Sequence, residues 1–194
     1  MTGTPAQGAL AGFTRLRTPR LLLRGFAPDD AAPLAAYRSD PDVARYQGWD
    51  APYPLEAAEE FVAGLGRARP GTPGEWYQVA IEERTSGLLV GDLGVRTEVD
   101  PRLVRLGFTL APAAQGHGYA TEAVTALLDH LFAHGTHRVS ADCDPRNVRS
   151  AALLVRVGMR QEAHHVASGW WKGEWTDEDV YAVLAREWSA RHNR

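Results

Sequence analysis

The residues in this chain best suited to chemistry are Gln115-Gly116-His117-Gly118-Tyr119-Ala120, a glycine-bearing loop between an apolar run and an amphipathic helical pattern. Glycines let a backbone approach a ligand closely. The free N–H groups of a helix's first turn, at the positive end of its dipole, favour an anion. Such a loop suits a phosphate, and three readings compete. A P-loop needs Gly-Lys-Ser/Thr, and there is no lysine here. A dinucleotide fingerprint needs Gly or Ala where Thr121 stands, and its loop would not follow a hairpin in mid-chain, although Asp142 ends the next strand near the spacing of a ribose ligand. The pattern Gln-x-x-Gly-x-Ala is the third reading.

The elements that must hold this loop are legible from periodicity. Leu103–Leu110 reads as a strand, and Tyr119–His134 as a helix with Ala120, Ala123, Val124, Leu127, Leu128 and Leu131 on one face. His137–Asp142 is the next strand, and Val148–Val157 is a helix stopped by Gly158. Upstream, Thr18–Phe26 reads as a strand, Asp29–Arg38 and residues 54–68 as helices, and Trp76–Glu82 with Leu88–Arg96 as a hairpin. Two strands, Arg160–Ala167 and Glu178–Ala185, close the chain. Residues 1–17 are expected to be a flexible N-terminus and 18–194 one domain. A hairpin followed by helix-connected strands implies an α/β (α+β) fold with a mixed sheet.

With these pieces in order, the chain resembles the GNAT N-acetyltransferase superfamily, and within it the Rim-type branch that acetylates ribosomal-protein N-termini. Thr18-Pro-Arg-Leu-Leu-Leu-Arg24 resembles that family's opening strand, Leu106-Gly-Phe-Thr-Leu110 its central strand, and Tyr119-Ala-Thr-Glu-Ala123 the start of its long helix. Asn147-x-x-Ser150 with Leu153, Leu154 and Gly158-Met159 is similar to its pantetheine-side segment, and Trp175-Thr-Asp177 through Glu187-Trp188 to its closing strand. The resemblance implies a mostly antiparallel sheet splayed into a V, with acetyl-CoA as co-substrate in the opening and direct attack by a primary amine in a ternary complex. It assigns acetyl-CoA binding to the backbone of Phe108, Thr109 and Leu110, to the loop Gln115, Gly116, His117, Gly118, Tyr119, Ala120 and Thr121, and to Asn147 and Ser150.

Two departures matter. The tyrosine that many members use to protonate the leaving thiolate is replaced by Leu154, which leaves the Ser150 hydroxyl, one turn earlier, as the candidate acid. The glutamate expected on the central strand is replaced by Arg105, so Asp92 and Asp177 become the candidate bases. Each also suits a turn or cap. Tyr46, Trp49 and Tyr53 together with Trp170, Trp171 and Trp175 occupy segments that flank the acceptor in the family. Tyr46, Trp49, Trp171 and Asp177 are therefore the candidate acceptor residues, with Asp50 nearby.

Composition removes other classes. With 21 basic and 24 acidic side chains the formal charge is −3, so no global positive field draws nucleic acid or a membrane surface. Cys143 is alone, which excludes a disulfide framework and a cysteine-rich zinc site and suits a reducing, cytoplasmic setting. No signal or membrane-spanning stretch is present. His130 and His134 are four apart but lack the glutamate of a zincin, so no metal is expected. Glu122 complements a helix dipole. Lys172 is the only lysine, read as coding bias. The acceptor is either a protein N-terminus or a small amine such as a polyamine or aminoglycoside. A non-catalytic acyl-CoA sensor is the alternative, and a homodimer is compatible with the pattern.

Overall fold

The computed structural model describes residues 8–192. Among them, strands β1 (Arg15–Arg17), β2 (Leu21–Arg24), β3 (Trp76–Glu83), β4 (Leu89–Thr97), β5 (Leu103–Leu110), β6 (Arg138–Cys143), β7 (Arg160–Trp171) and β8 (Glu174–Leu184) form a single sheet. Its order is β1-β2-β3-β4-β5-β6-β8-β7. The helices are α1 (Ala31–Arg38), α2 (Pro41–Ala44), α3 (Leu55–Leu65), α4 (Tyr119–Ala133), α5 (Val148–Arg156) and α6 (Ala185–His192). All neighbouring strands run antiparallel except β5 and β6.

Strand alternation sorts the core onto two faces. Leu93 and Val95 of β4, Val104 and Leu106 of β5, and Val139 and Ala141 of β6 face α4, whose Leu127, Leu128 and Leu131 are fully buried among them. The opposite face carries Ala80 and Leu89 against Leu34 of α1 and Ala58 and Val62 of α3. Covered on both sides, β4 reads as an almost uninterrupted buried run.

The parallel pair is short, and that shortness makes the site. β5 and β6 are paired only at Leu103↔Arg138, Val104↔Val139 and Arg105↔Ser140. Beyond this, β5 follows β4 to Gly91↔Leu110 while β6 follows β8 to Cys143↔Asp179. Each arm keeps its own antiparallel partner, so the sheet opens into the expected V.

Several expectations need correction. Residues 1–7 lie outside the described residues, but residues 8–17 are not loose: Leu10 and Phe13 are buried in the main core and Arg15–Arg17 pairs with β2. The opening strand is shorter than Thr18–Phe26 because Thr18 turns the chain, its amide donating to the Leu21 carbonyl and its hydroxyl oxygen accepting from the Leu21 amide. The closing strand stops at Leu184, and Glu187 and Trp188 belong to α6. There the Glu187 carboxylate accepts from the Leu184 amide, and Trp188 is buried with its Nε1 donating to Asp129. The β7–β8 hairpin also runs further than its apolar pattern predicts, because the paired stretch near its tip is solvent-exposed.

Candidate active site

In the splay, one edge of β5 has no strand partner from Leu106 to Leu110. The N–H and C=O of one residue point to the same edge, and successive residues alternate. The Phe108 carbonyl accepts from Gln47 Nε2 at 3.4 Å and the Leu110 carbonyl from Gln115 Nε2 at 3.2 Å. The amides of Phe108 and Leu110 therefore face the gap as donors. Thr109 turns its backbone toward β4: a Cβ added at Gly91 would lie 2.2 Å from the Thr109 oxygen. Of the three residues singled out here, the two even-numbered ones thus offer backbone N–H to a ligand.

A cleft of about 1780 Å³ fills the opening. Phe108, Thr109, Leu110, Gln115, Gly116, Gly118, Tyr119, Ala120 and Thr121 line it, as do Asn147 and Ser150 of the opposite arm. Gly116 and Gly118 adopt positive φ (79° and 80°), a conformation that side-chain-bearing residues rarely take, and Gly118 is the N-cap of α4. The first-turn amides of α4 thus open toward the cleft. His117 does not line it. Its ring stacks on Tyr119 at 5.9 Å and its carbonyl accepts from Arg20 Nη1.

The loop is held from behind by Glu122. Its carboxylate accepts from Thr18 Oγ1 (2.5 Å), the Arg20 amide (2.9 Å) and Arg20 Nε (2.6 Å). Burial works to raise this carboxyl, but the bonds from Thr18 and Arg20 outweigh it and hold it below its ordinary range. The Arg20 guanidinium also lies 4.7 Å from the Tyr119 ring centre, and the Tyr119 hydroxyl donates to Glu83. From α5, Arg149 donates to Gln115 (3.0 Å) and Arg156 to Thr121 (3.5 Å). The sequence reading assigns these two arginines no role. Their seven-residue spacing, two turns on one helix face, was the available signal.

On the other arm Asn147 caps α5, its Oδ1 accepting from the Ser150 amide at 3.2 Å, and this places Ser150 in the first turn facing the cleft. Tyr46 lines the cleft together with Gln47, Asp40, Asp42, Arg45 and Arg146.

Both candidate bases lie elsewhere. Asp92 is buried under α1, where it accepts from Tyr37 (2.5 Å) and pairs with Arg38 (3.5 Å). Burial pushes its carboxyl above the usual range despite these partners. Asp177 sits on the β7–β8 hairpin and accepts from the amide of Ala167, a bulge residue at φ 45°, beside His164. Neither lines the cleft, and both serve structure. Trp49 is also turned inward, its ring 4.1 Å from the Arg38 guanidinium. Trp171 reaches the same connection at Gly48, where an added Cβ would lie 3.8 Å from its ring. Asp50 is exposed and paired with Lys172 (3.4 Å). His130 and His134 stack on each other with ring centres 4.1 Å apart. No described helix is long and apolar enough to cross a membrane.

A mostly antiparallel sheet split beside its central strand, with a glycine loop feeding a helix at the mouth of the split, is the architecture of a CoA-dependent N-acetyltransferase. The family model for the acetyltransferase (GNAT) domain matches residues 20–160, and the chain belongs to that family. It is 30% identical over 175 residues to the uncharacterized N-acetyltransferase YnaD of Bacillus subtilis, covering 90% of this chain and 99% of that protein. A shorter match, 31% over 85 residues, covers 43% of this chain and 44% of the [ribosomal protein uS5]-alanine N-acetyltransferase of Escherichia coli. Among solved structures, a GNAT-family acetyltransferase from Bacillus anthracis superposes with a TM-score of 0.80 at 27% identity, covering 89% of this chain and 99% of that one.

Proposed function

We propose that this chain transfers the acetyl group of acetyl-CoA to the α-amine of a polypeptide N-terminus. The observation that carries the acceptor choice is the set of carboxylates lining the cleft. Glu122 is committed to Thr18 and Arg20, Asp129 to Trp188, and Asp40 to the first amides of α2. Asp42 is solvent-exposed. A cleft whose carboxylates are either committed to such partners or, like Asp42, open to solvent holds no sheltered general base, and it suits an amine that is already partly neutral. An α-amine, with a pKa of about 7.7–8.0, meets that need, whereas an alkyl ammonium near 10.4 does not.

In this reading the first-turn amides of α4, flanked by Arg149 and Arg156, hold the pyrophosphate, and the Phe108 and Leu110 amides align the pantetheine arm and thioester. The neutral amine attacks the thioester carbonyl, the new C–N bond forms as the C–S bond breaks, and the Ser150 hydroxyl passes a proton to the departing thiolate while taking one back from solvent, so that it ends the cycle unchanged. The amine's surplus proton leaves to solvent.

The test is free-thiol release from acetyl-CoA with N-terminal peptides, polyamines and aminoglycosides as acceptors. Peptides should be preferred, and Ser150→Ala should lower kcat on the order of 10²-fold with the KM for acetyl-CoA little changed. Preference for a polyamine would refute the acceptor assignment, and failure to bind acetyl-CoA would refute the donor. Turnover with any amine excludes a sensor without activity.

A further inference from the structure

The tip of the β7–β8 hairpin is a two-residue loop. Trp171 pairs with Glu174, and the intervening Lys172 and Gly173 both have positive φ, 46° and 88°. This is the arrangement of a type I′ turn, whose first position favours Asn, Asp or Gly. A lysine there is strained, and such strain points to something gained elsewhere. Here the gain is visible in the side chain. Lys172 Nζ donates to the carbonyls of Ala44 (2.8 Å) and Trp49 (2.6 Å) and pairs with Asp50 (3.4 Å), so the three donors of its ammonium meet three acceptors on one connection.

That connection lies on one arm of the V, with Gln47 reaching Phe108 of β5. Two residues past Lys172, Glu174 pairs with Arg146 at 2.8 Å, beside Asn147 on the other arm. Trp171 adds its ring at Gly48. The hairpin tip thus bridges the two arms across the acceptor end. Contacts run from the 44–50 connection through Lys172 and Glu174 to Arg146, and the cleft beside them is lined by Arg45, Tyr46 and Gln47 on one side and Arg146 on the other.

We propose that Lys172 is a positioning and specificity-determining residue for the acceptor. By latching the hairpin onto the 44–50 connection it fixes the width of the entrance, so that an extended, narrow amine passes and a bulky one does not. This rests on the acetyl-transfer reading above, but the latch itself has an independent signature.

The decisive variant is Lys172→Asn, because Asn suits the left-handed turn position and leaves the hairpin intact while removing the ammonium. The expected result is a hairpin that keeps its pairing, a Tm lowered by no more than a few degrees because relief of turn strain offsets the lost bonds, and unchanged acetyl-CoA affinity. The KM for the peptide acceptor should rise on the order of tenfold, and discrimination against aminoglycosides should narrow by a similar factor. Amide hydrogen exchange over residues 44–53 should quicken. Peptide KM and discrimination equal to those of the wild type would overturn the specificity role. Unchanged exchange over 44–53 would overturn the latch. If the wild-type chain acetylates no amine, the acetyl-transfer reading fails by itself, and the exchange measurement still decides the latch.

Discussion

Replacing Glu122 by alanine tests whether the cofactor loop is built from behind. The substitution removes three hydrogen bonds that tie the segment Thr18–Arg20 to the first turn of α4. The two from Thr18 and the Arg20 amide to a mostly buried carboxylate contribute about 1 kcal/mol each. The Arg20 guanidinium is 47% exposed, so its ion pair adds about 0.5 kcal/mol. The sum, about 2.5 kcal/mol, corresponds in a chain of this size to a Tm lower by about 5–10 °C. Arg20, released, no longer holds the His117 carbonyl, and Gly116–Gly118 is free to sample other conformations. Acetyl-CoA affinity should fall on the order of tenfold, read by calorimetry. A pH series adds a signed test. A carboxyl held below its ordinary value near 4.5 contributes stability that is fully present above that value and disappears as pH falls through the lower folded-state value. The gap in Tm between wild type and Glu122→Ala should therefore be constant at neutral pH and close below about pH 4.5. A variant with lower Tm but unaltered acetyl-CoA affinity would refute the idea that this cluster shapes the loop. A gap that does not narrow at all as pH falls below about 4.5 would refute its electrostatic origin.

Other substitutions read other parts of the molecule. Asp92→Ala strands the buried Arg38 guanidinium without its carboxylate and should cost about 3–5 kcal/mol by denaturant unfolding, whereas Asp92→Asn should keep the acid limb of the pH–rate profile, since Asp92 is no base. Gly91→Ala drives a methyl to 2.2 Å from the Thr109 oxygen and 2.7 Å from Leu110 Cδ2, so β5 must move; a loss of about 1–3 kcal/mol is expected together with weakened acetyl-CoA binding. Cys143 is partly buried, and burial together with Asp179, Asp142, Asp144 and Glu178 pushes its thiol up to about 12. Alkylation at pH 8 should be slow in the folded protein and fast in urea, and rapid native labelling would contradict this environment.

Most of the scaffold was legible because its elements obey simple periods. Leu103–Leu110 and the start of α4 at Tyr119 are found where alternation and 3.6-residue spacing put them, and of the three readings of the glycine loop between them the missing lysine removes one and Thr121 with the mid-chain placement weakens another. What escaped was whatever depends on partners distant in sequence. Asp92 looks like any acid on a strand until α1 brings Tyr37 and Arg38 over it. Trp49 looks like an acceptor aromatic until Arg38 draws its ring inward. Glu122 needs no explanation beyond the helix dipole until the chain a hundred residues earlier returns to meet it. Lys172 carries no signal in the sequence beyond coding bias, because a turn's φ angles and the acceptors of an ammonium exist only in three dimensions. Residues 8–17 were misjudged for a related reason: Leu10 and Phe13 are too few to show a period, yet enough to anchor the segment.

The unpaired rim of β5 carries a hazard that its surroundings answer. An exposed strand edge is a template for any passing chain, and proteins usually place charges or bulges there. This edge lies inside the sheet, where a permanent charge would spoil the site. Two neutral carboxamides stand guard instead, Gln47 on the Phe108 carbonyl and Gln115 on the Leu110 carbonyl, each able to swing away on a flexible side chain. Deamidation of Gln47, which turns a donor into a carboxylate facing a carbonyl, would remove that guard. Gln47→Glu should then self-associate through the cleft more readily than the wild type, and a ligand seated along the rim should delay it.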